Sequence, residues 1–135
     1  MDEEYVHIAY SPVYFNLQAM PYSNLSTYNF FQGEIKNLAP VYGVLPYDLI
    51  NPLFSDYSEK NRFLWMPQDQ TAYYIDDTEV FDFPTGTILI KNFFYNGVAP
   101  LNETKNIETR LMIKKDEGWV FANYVWNDEQ TEAVY

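Results

Sequence analysis

Cysteine is missing from all 135 residues, which excludes disulfide staples, thiolate nucleophiles, cysteine zinc sites and covalent attachment of haem to this polypeptide. Histidine occurs once, as His7. A Ser-His-Asp or Cys-His arrangement would have to be built around that peripheral amino-terminal residue, and His-rich or Cys-rich zinc and copper sites are excluded by count. The five glycines are isolated, so no Gly-rich phosphate loop can form. Positive charge is also short: eight Lys plus Arg against nineteen carboxylates leave a net charge of −11. Such a chain repels a phosphate backbone and anionic lipid, and neither nucleic acid nor an acidic membrane surface is an expected partner. No apolar run approaches the roughly 20 residues needed to span a bilayer, so no membrane insertion is expected. The opening Met1-Asp2-Glu3-Glu4 is acidic, opposite to a secretory n-region, and the chain reads as a soluble, mature-like form.

What the chain does have is apolar and aromatic mass. Hydrophobic residues make up 47%, with thirteen Tyr, ten Phe and three Trp, enough to argue against intrinsic disorder despite the charge. The length suits one domain, 1–135, with no internal repeat or dividing linker. Tyr, Phe, Val, Ile and Thr in short runs bounded by Gly, Pro, Asn and Asp dominate the second half, whereas 3.6-spaced Ala and Leu are scarce. The pattern predicts an all-β domain with minor helical turns, an antiparallel β-sandwich or barrel-like meander. Strands are expected at Asn61–Met66, Thr71–Ile75, Glu79–Phe83, Thr87–Tyr95, Ile107–Lys115 and Trp119–Trp126.

Asp116-Glu117-Gly118 supplies the turn of the clearest hairpin. A two-residue loop of Glu117 and Gly118 would put Ala122, Tyr124 and Trp126 on the apolar face with Ile107, Thr109, Leu111 and Ile113, leaving Glu108, Arg110, Met112 and Lys114 opposite. Asp76-Asp77-Thr78 reads as a second hairpin turn. The continuous run Thr87-Ile88-Leu89-Ile90 suggests a central strand covered on both faces. Residues 1–60 carry five of the eight prolines and are expected to wrap the sheet as an extended arm. Tyr5–Tyr10 is expected as an edge strand, Pro46 would open a helical turn that Pro52 stops, and another turn would begin near Ser55.

No catalytic residue, metal-ligand set or cofactor site follows from these patterns. Asp76-Asp77, Asp128-Glu129 and Asp2-Glu3-Glu4 lack the spacing of an EF-hand loop and match ordinary turn and cap acids. No spacing marks a carboxylate pair for acid-base work. Most rings are expected in the sheet core, while an exposed line of them could stack on sugars or anchor a protein. Trp119, Trp65 and Tyr95 are the ligand-binding candidates, Trp119 foremost because it falls on the polar face of its hairpin. Glu108, Arg110 and Lys114 should form a charged, salt-bridged solvent stripe.

Several phrases carry a resemblance: Leu45-Pro46-Tyr47-Asp48-Leu49, Pro52-Leu53-Phe54-Ser55-Asp56-Tyr57, Phe83-Pro84-Thr85-Gly86-Thr87, Glu108-Thr109-Arg110-Leu111 and Tyr124-Val125-Trp126-Asn127-Asp128-Glu129-Gln130-Thr131. Together they resemble an uncharacterised family of exported bacterial proteins, some of them lipoproteins and some with c-type haem motifs downstream. The resemblance implies a cell-envelope, periplasmic or extracellular home, and a chain that is a domain fragment or a short member. The leading expectation for the chain is a non-catalytic interaction or scaffold role with a protein or glycan partner. A carbohydrate-binding or carbohydrate-active role, and docking to a c-type cytochrome, are the alternatives. No functional residue comes over with the resemblance.

Overall fold

Alternation between apolar and polar residues is strongest in the last fifty residues, and there it builds the longest strands. The computed structural model describes residues 10–47, 59–67, 73–74 and 81–135. Along the chain lie β1 (Phe31–Gln32), β2 (Ala39–Pro40), β3 (Leu45–Pro46), β4 (Glu59–Trp65), β5 (Tyr73–Tyr74), β6 (Phe81–Asp82), β7 (Ile88–Val98), β8 (Glu103–Lys115), β9 (Gly118–Trp126) and β10 (Ala133–Val134). Short 3₁₀ turns occupy Leu17–Ala19, Leu25–Tyr28 and Ile35–Asn37. A six-stranded antiparallel sheet in the order β10-β9-β8-β7-β4-β3 dominates, with two-stranded ribbons β1-β2 and β5-β6 beside it. The all-β reading is therefore correct, and the sheet is open, not a closed barrel. The expected strands all fall on observed ones. The expected turns at Asp76-Asp77-Thr78 and Ser55, the Tyr5–Tyr10 strand up to Tyr10, Pro52 and His7 lie outside the described residues.

Period-two alternation sorts the sheet into an inner and an outer face. Phe63, Trp65, Ile88, Ile90, Leu111, Ile113, Ala122, Tyr124 and Trp126 are buried on the inner one. Each fully buried Ile or Leu contributes about 1.5–3 kcal/mol. β7 is internal, as expected, but covered on one face only: Leu89 and Lys91 alternate as half-buried between the buried Ile88, Ile90 and Asn92. In the β8–β9 hairpin Lys115 pairs with Gly118 and Leu111 with Ala122, so the loop is Asp116-Glu117. The expected loop of Glu117-Gly118 is thus displaced, slipping every pair by two residues while keeping the faces. Gly118 has φ +133, a value that suits glycine at the end of the turn. Ile107 does not join the apolar face. The register shifts between Phe93↔Glu108 and Phe94↔Asn106, a bulge that exposes Ile107 and turns Asn106 inward.

Asn92, Asn106 and Thr109 are fully buried polar residues, and the bulge end of the sheet satisfies them as a chain. Trp126 Nε1 donates to Thr109 Oγ1 at 2.8 Å, Thr109 Oγ1 to Asn92 Oδ1 at 2.5 Å, and Asn92 Nδ2 to Asn106 Oδ1 at 2.9 Å. Gln130 closes the end by accepting from Asn106 N at 2.7 Å and donating to Asn106 O at 3.0 Å. Among the described residues no buried side-chain polar atom lacks a partner, which a buried network needs in order to be neutral in cost.

The arm is the second layer of the core. Met20, Tyr22, Leu25, Tyr28, Phe30, Phe31, Leu38, Val41 and Val44 are buried with the sheet residues in one cluster. Rings run in contact from Tyr14 through Tyr22, Tyr28, Phe30 and Phe31 to Phe63 of β4, with centroids 4.4–6.1 Å apart. Pro46 opens no helical turn. It lies in the edge strand β3 opposite Phe63, where a missing N–H costs the ladder little. Gly86, at φ +98, marks the entry to β7; a Cβ there would meet Pro67 at 2.8 Å and Phe15 at 2.9 Å.

Three tyrosines join arm to sheet. Tyr22 N donates to Tyr28 OH at 3.0 Å, and Tyr124 OH donates to Tyr22 O at 2.5 Å. With the hydrogen of Tyr124 committed, the 2.6 Å contact between the Tyr28 and Tyr124 hydroxyls has Tyr28 as donor. A closed circuit results, and burial holds all three phenols above their ordinary pKa of 10.0. A raised folded-state pKa favours the neutral phenol. The stability it brings is fully present below pH 10 and is lost as pH rises toward the folded values. Tyrosine absorbance at 295 nm should therefore show a fraction that ionises only together with loss of the fold, above pH about 10; full ionisation with the fold intact would refute the burial. Tyr124→Phe strands the Tyr28 hydroxyl and the Tyr22 carbonyl and should cost about 1–3 kcal/mol in urea unfolding, whereas a cost near zero would show the circuit to be open to water.

Candidate functional site

Opposite the arm, the outer face of the sheet carries the unusual chemistry. Cross-strand register lines its residues into rows. The apolar row is Leu45, Leu64, Leu89, Met112 and Phe121. The next row is Arg62, Lys91, Arg110 and Asn123, and the one beyond is Lys60, Phe93, Glu108 and Val125. On the other side of the apolar row, Lys114 pairs with Trp119. Five of the eight cations in a chain of net charge −11 thus gather on one sheet face.

Directly opposed like charges destabilise a sheet, and Arg62, Lys91 and Arg110 stand on three neighbouring strands. Phe93 offsets part of that repulsion. Lys60 Nζ lies 5.6 Å from its ring centroid, Lys91 Nζ 5.3 Å and Arg110 Cζ 4.7 Å, within reach of the ring quadrupole. Glu108 offsets more of it: its Oε1 accepts from Arg110 Nε at 3.1 Å and lies 3.1 Å from Nη2 as an ion pair. The expected pairing of Glu108 with Arg110 is thus present. Lys114 belongs elsewhere: its Nζ donates to the Phe83 carbonyl at 2.6 Å and lies 5.8 Å from the Trp119 ring.

Between the apolar and cationic rows lies a groove of about 390 Å³ lined by Tyr47, Arg62, Leu89, Lys91, Arg110, Met112, Phe121 and Asn123, with Ile90 and Leu111 beneath. Tyr47 is held there by its own N–H, which donates to the Arg62 carbonyl at 2.9 Å. Burial raises the Tyr47 phenol above its ordinary pKa, opposed by the charge of Arg62, so the groove presents a hydroxyl and not a phenolate. Phe121 is 64% exposed. An apolar floor with a few polar groups converging on one side is the common form of a small-molecule site, whose volumes run from about 300 to 1,000 Å³.

The three expected aromatic site residues do not meet. Trp65 is buried on the inner face, its ring 5.2 Å from Phe15 and its indole N–H donating to Ser11 Oγ at 3.2 Å. Trp119 is half-buried on the outer face, edge-on to Phe83. Tyr95 is exposed near the far end of β7, opposite Lys105. The sequence pattern marks Arg110 and Lys114 but not Arg62 and Lys91, whose place beside them depends on a register that no local signal fixes. Among the described residues no three His, Asp or Glu side chains converge as a metal site, and no helix is long and apolar enough to cross a membrane. No protein-family model, curated protein or solved structure matches the chain.

Because Phe121 is mostly solvated, Phe121→Ala should lower unfolding stability by less than about 1 kcal/mol. Ile90→Ala, beneath the same groove but in the core, should cost about 2–5 kcal/mol. Comparable losses in denaturant titrations would make the groove floor part of the folding core instead of a surface set aside for contact.

Proposed function

We propose that the chain is a non-catalytic binding domain of an exported bacterial protein, working in the cell envelope, the periplasm or outside the cell, with the outer face of its sheet as the contact surface. The observation that carries this reading is the groove between the Leu89-Met112-Phe121 row and the Arg62-Lys91-Arg110 row. Core packing accounts for the inner face completely, because the arm lies on it. It does not account for cations brought together in an acidic chain beside an exposed phenylalanine. Residues that break a local stability rule without a packing reason are the ones expected to serve a function. The export setting rests on the phrases shared with the bacterial family.

Binding suits the groove better than catalysis does. Among the described residues its lining offers cations, an amide and a phenol, with no carboxylate, imidazole or aliphatic hydroxyl to act as base or nucleophile. A glycan is the second reading, supported by Trp119 standing two residues from Phe121 on the same face of β9, a spacing that lets rings on one strand share a surface.

An NMR titration of the ¹⁵N-labelled chain with a panel of small organic acids, their uncharged amides and neutral oligosaccharides tests both. Amide shifts clustered on Leu89, Met112, Phe121 and Asn123 are expected. Shifts confined to Trp119 and its neighbours with oligosaccharides alone would favour the glycan reading, and a panel that leaves the outer face unmoved would overturn the assignment of that face.

A further inference from the structure

We propose that the outer groove takes a small organic anion with an apolar body, its carboxylate held between Arg62 and Arg110 and its apolar part laid over Leu89, Met112 and Phe121. This rests on the reading of the outer face as a binding surface and names the chemistry that surface selects.

Three features lead to that class. The first is the state of the two guanidinium groups. Arg110 is held by Glu108, whose Oε1 accepts from Nε and pairs with Nη2, so that Nη1 lies outside that pair. Arg62 lines the groove, and none of the described carboxylates lies within ion-pair distance of it. Arginine presents planar paired donors that match a carboxylate.

The second feature is range. At −11 the whole chain disfavours an anion, but at physiological salt that field is screened beyond about 8 Å. Inside the groove Arg62, beside Arg110, sets the local sign. Distant acids then slow the approach of the anion more than they weaken it once bound.

The third feature is the floor. An inorganic anion would leave Leu89, Met112 and Phe121 in water, and an uncharged hydrocarbon would bring no counter-charge to Arg62. A molecule with both parts satisfies both rows. The groove volume of about 390 Å³ suits a body the size of a short acyl chain or a single aromatic ring system.

The test uses octanoate, with octanamide as the same tail without charge and acetate as the same charge without a tail, read by calorimetry and by amide shifts. Octanoate should bind at the groove, and octanamide and acetate about ten-fold or more weaker, the size of effect expected for one charge-assisted contact or one apolar face. Arg62→Gln should weaken octanoate about ten-fold, and raising salt should weaken it further. Glu108→Gln, which keeps an oxygen to accept from Arg110 Nε and removes a nearby negative charge, should tighten octanoate. This second variant keeps the test decisive if Arg62→Gln disturbs the fold. Equal binding of octanoate and octanamide, or no change in either variant, would overturn the anion class while leaving the groove as an apolar site. Failure of octanoate while only uncharged members of the NMR panel move the groove amides has the same meaning. Silence of the groove toward every compound would overturn the binding reading as well.

Discussion

Among the described residues, the inner face of the six-stranded sheet is covered by the arm that precedes β3. Where that arm lies is fixed by the hydroxyls of Tyr28 and Tyr124, which close a hydrogen-bond circuit through the backbone of Tyr22. Hydrophobic burial alone would allow an irregular arm to slide, since it is non-directional. A buried phenol must find a partner in one place. The circuit therefore turns a general attraction into a defined register of arm on sheet, and the stacked rings from Tyr14 to Phe31 extend that register to β4. In the same stretch of the arm, Glu132 accepts from the Ser26 backbone N–H and hydroxyl at 3.0 and 2.5 Å, and Tyr135 N donates to Ser23 O at 2.9 Å.

Once the arm covers the inner face, the outer face is released from core duty. Half-buried Leu89 and Met112 can stay in a groove without unfolding the domain, because the neighbouring Ile88, Ile90, Leu111 and Ile113 are fully buried on the other side. The same division explains how the sheet bears three adjacent cations. Their repulsion is a surface term of a few tenths to about 1 kcal/mol per opposed pair, small against the burial of four isoleucine and leucine side chains on the reverse of the same strands.

Much of the fold was legible in the amino-acid sequence because strand signals are local. Alternation in 107–115 and 119–126 revealed a hairpin and the side on which Ala122, Tyr124 and Trp126 would lie. It could not fix the pairs, since a slip of two residues leaves every side chain on the same face. Ile107 looked like the next core position, and only the bulge opposite Phe93 and Phe94 moves it out. Asn92 and Asn106 carry the opposite difficulty. Asparagine reads as a turn residue, yet here it forms the buried ladder that ties β7, β8 and the loop at Gln130 together. Pro46 similarly looked like a helix start, because a two-residue edge strand has no periodicity to read. The candidate site was the least legible part: Arg110 and Lys114 showed on one strand, but the groove exists only where β4 and β7 bring Arg62, Leu89 and Lys91 beside them.

Specificity in such a site would come from the mismatch between its local and global charge. An anion approaches a molecule of net charge −11 against a weak, screened repulsion, and only a shape that reaches both arginines gains the contacts that repay desolvation. Multiply charged polymers would feel the global term at every unit. A small anion feels it once. An acidic surface with a basic groove therefore selects for size and for charge together, and it does so with side chains that the fold, sealed by the arm on its other face, does not need for stability.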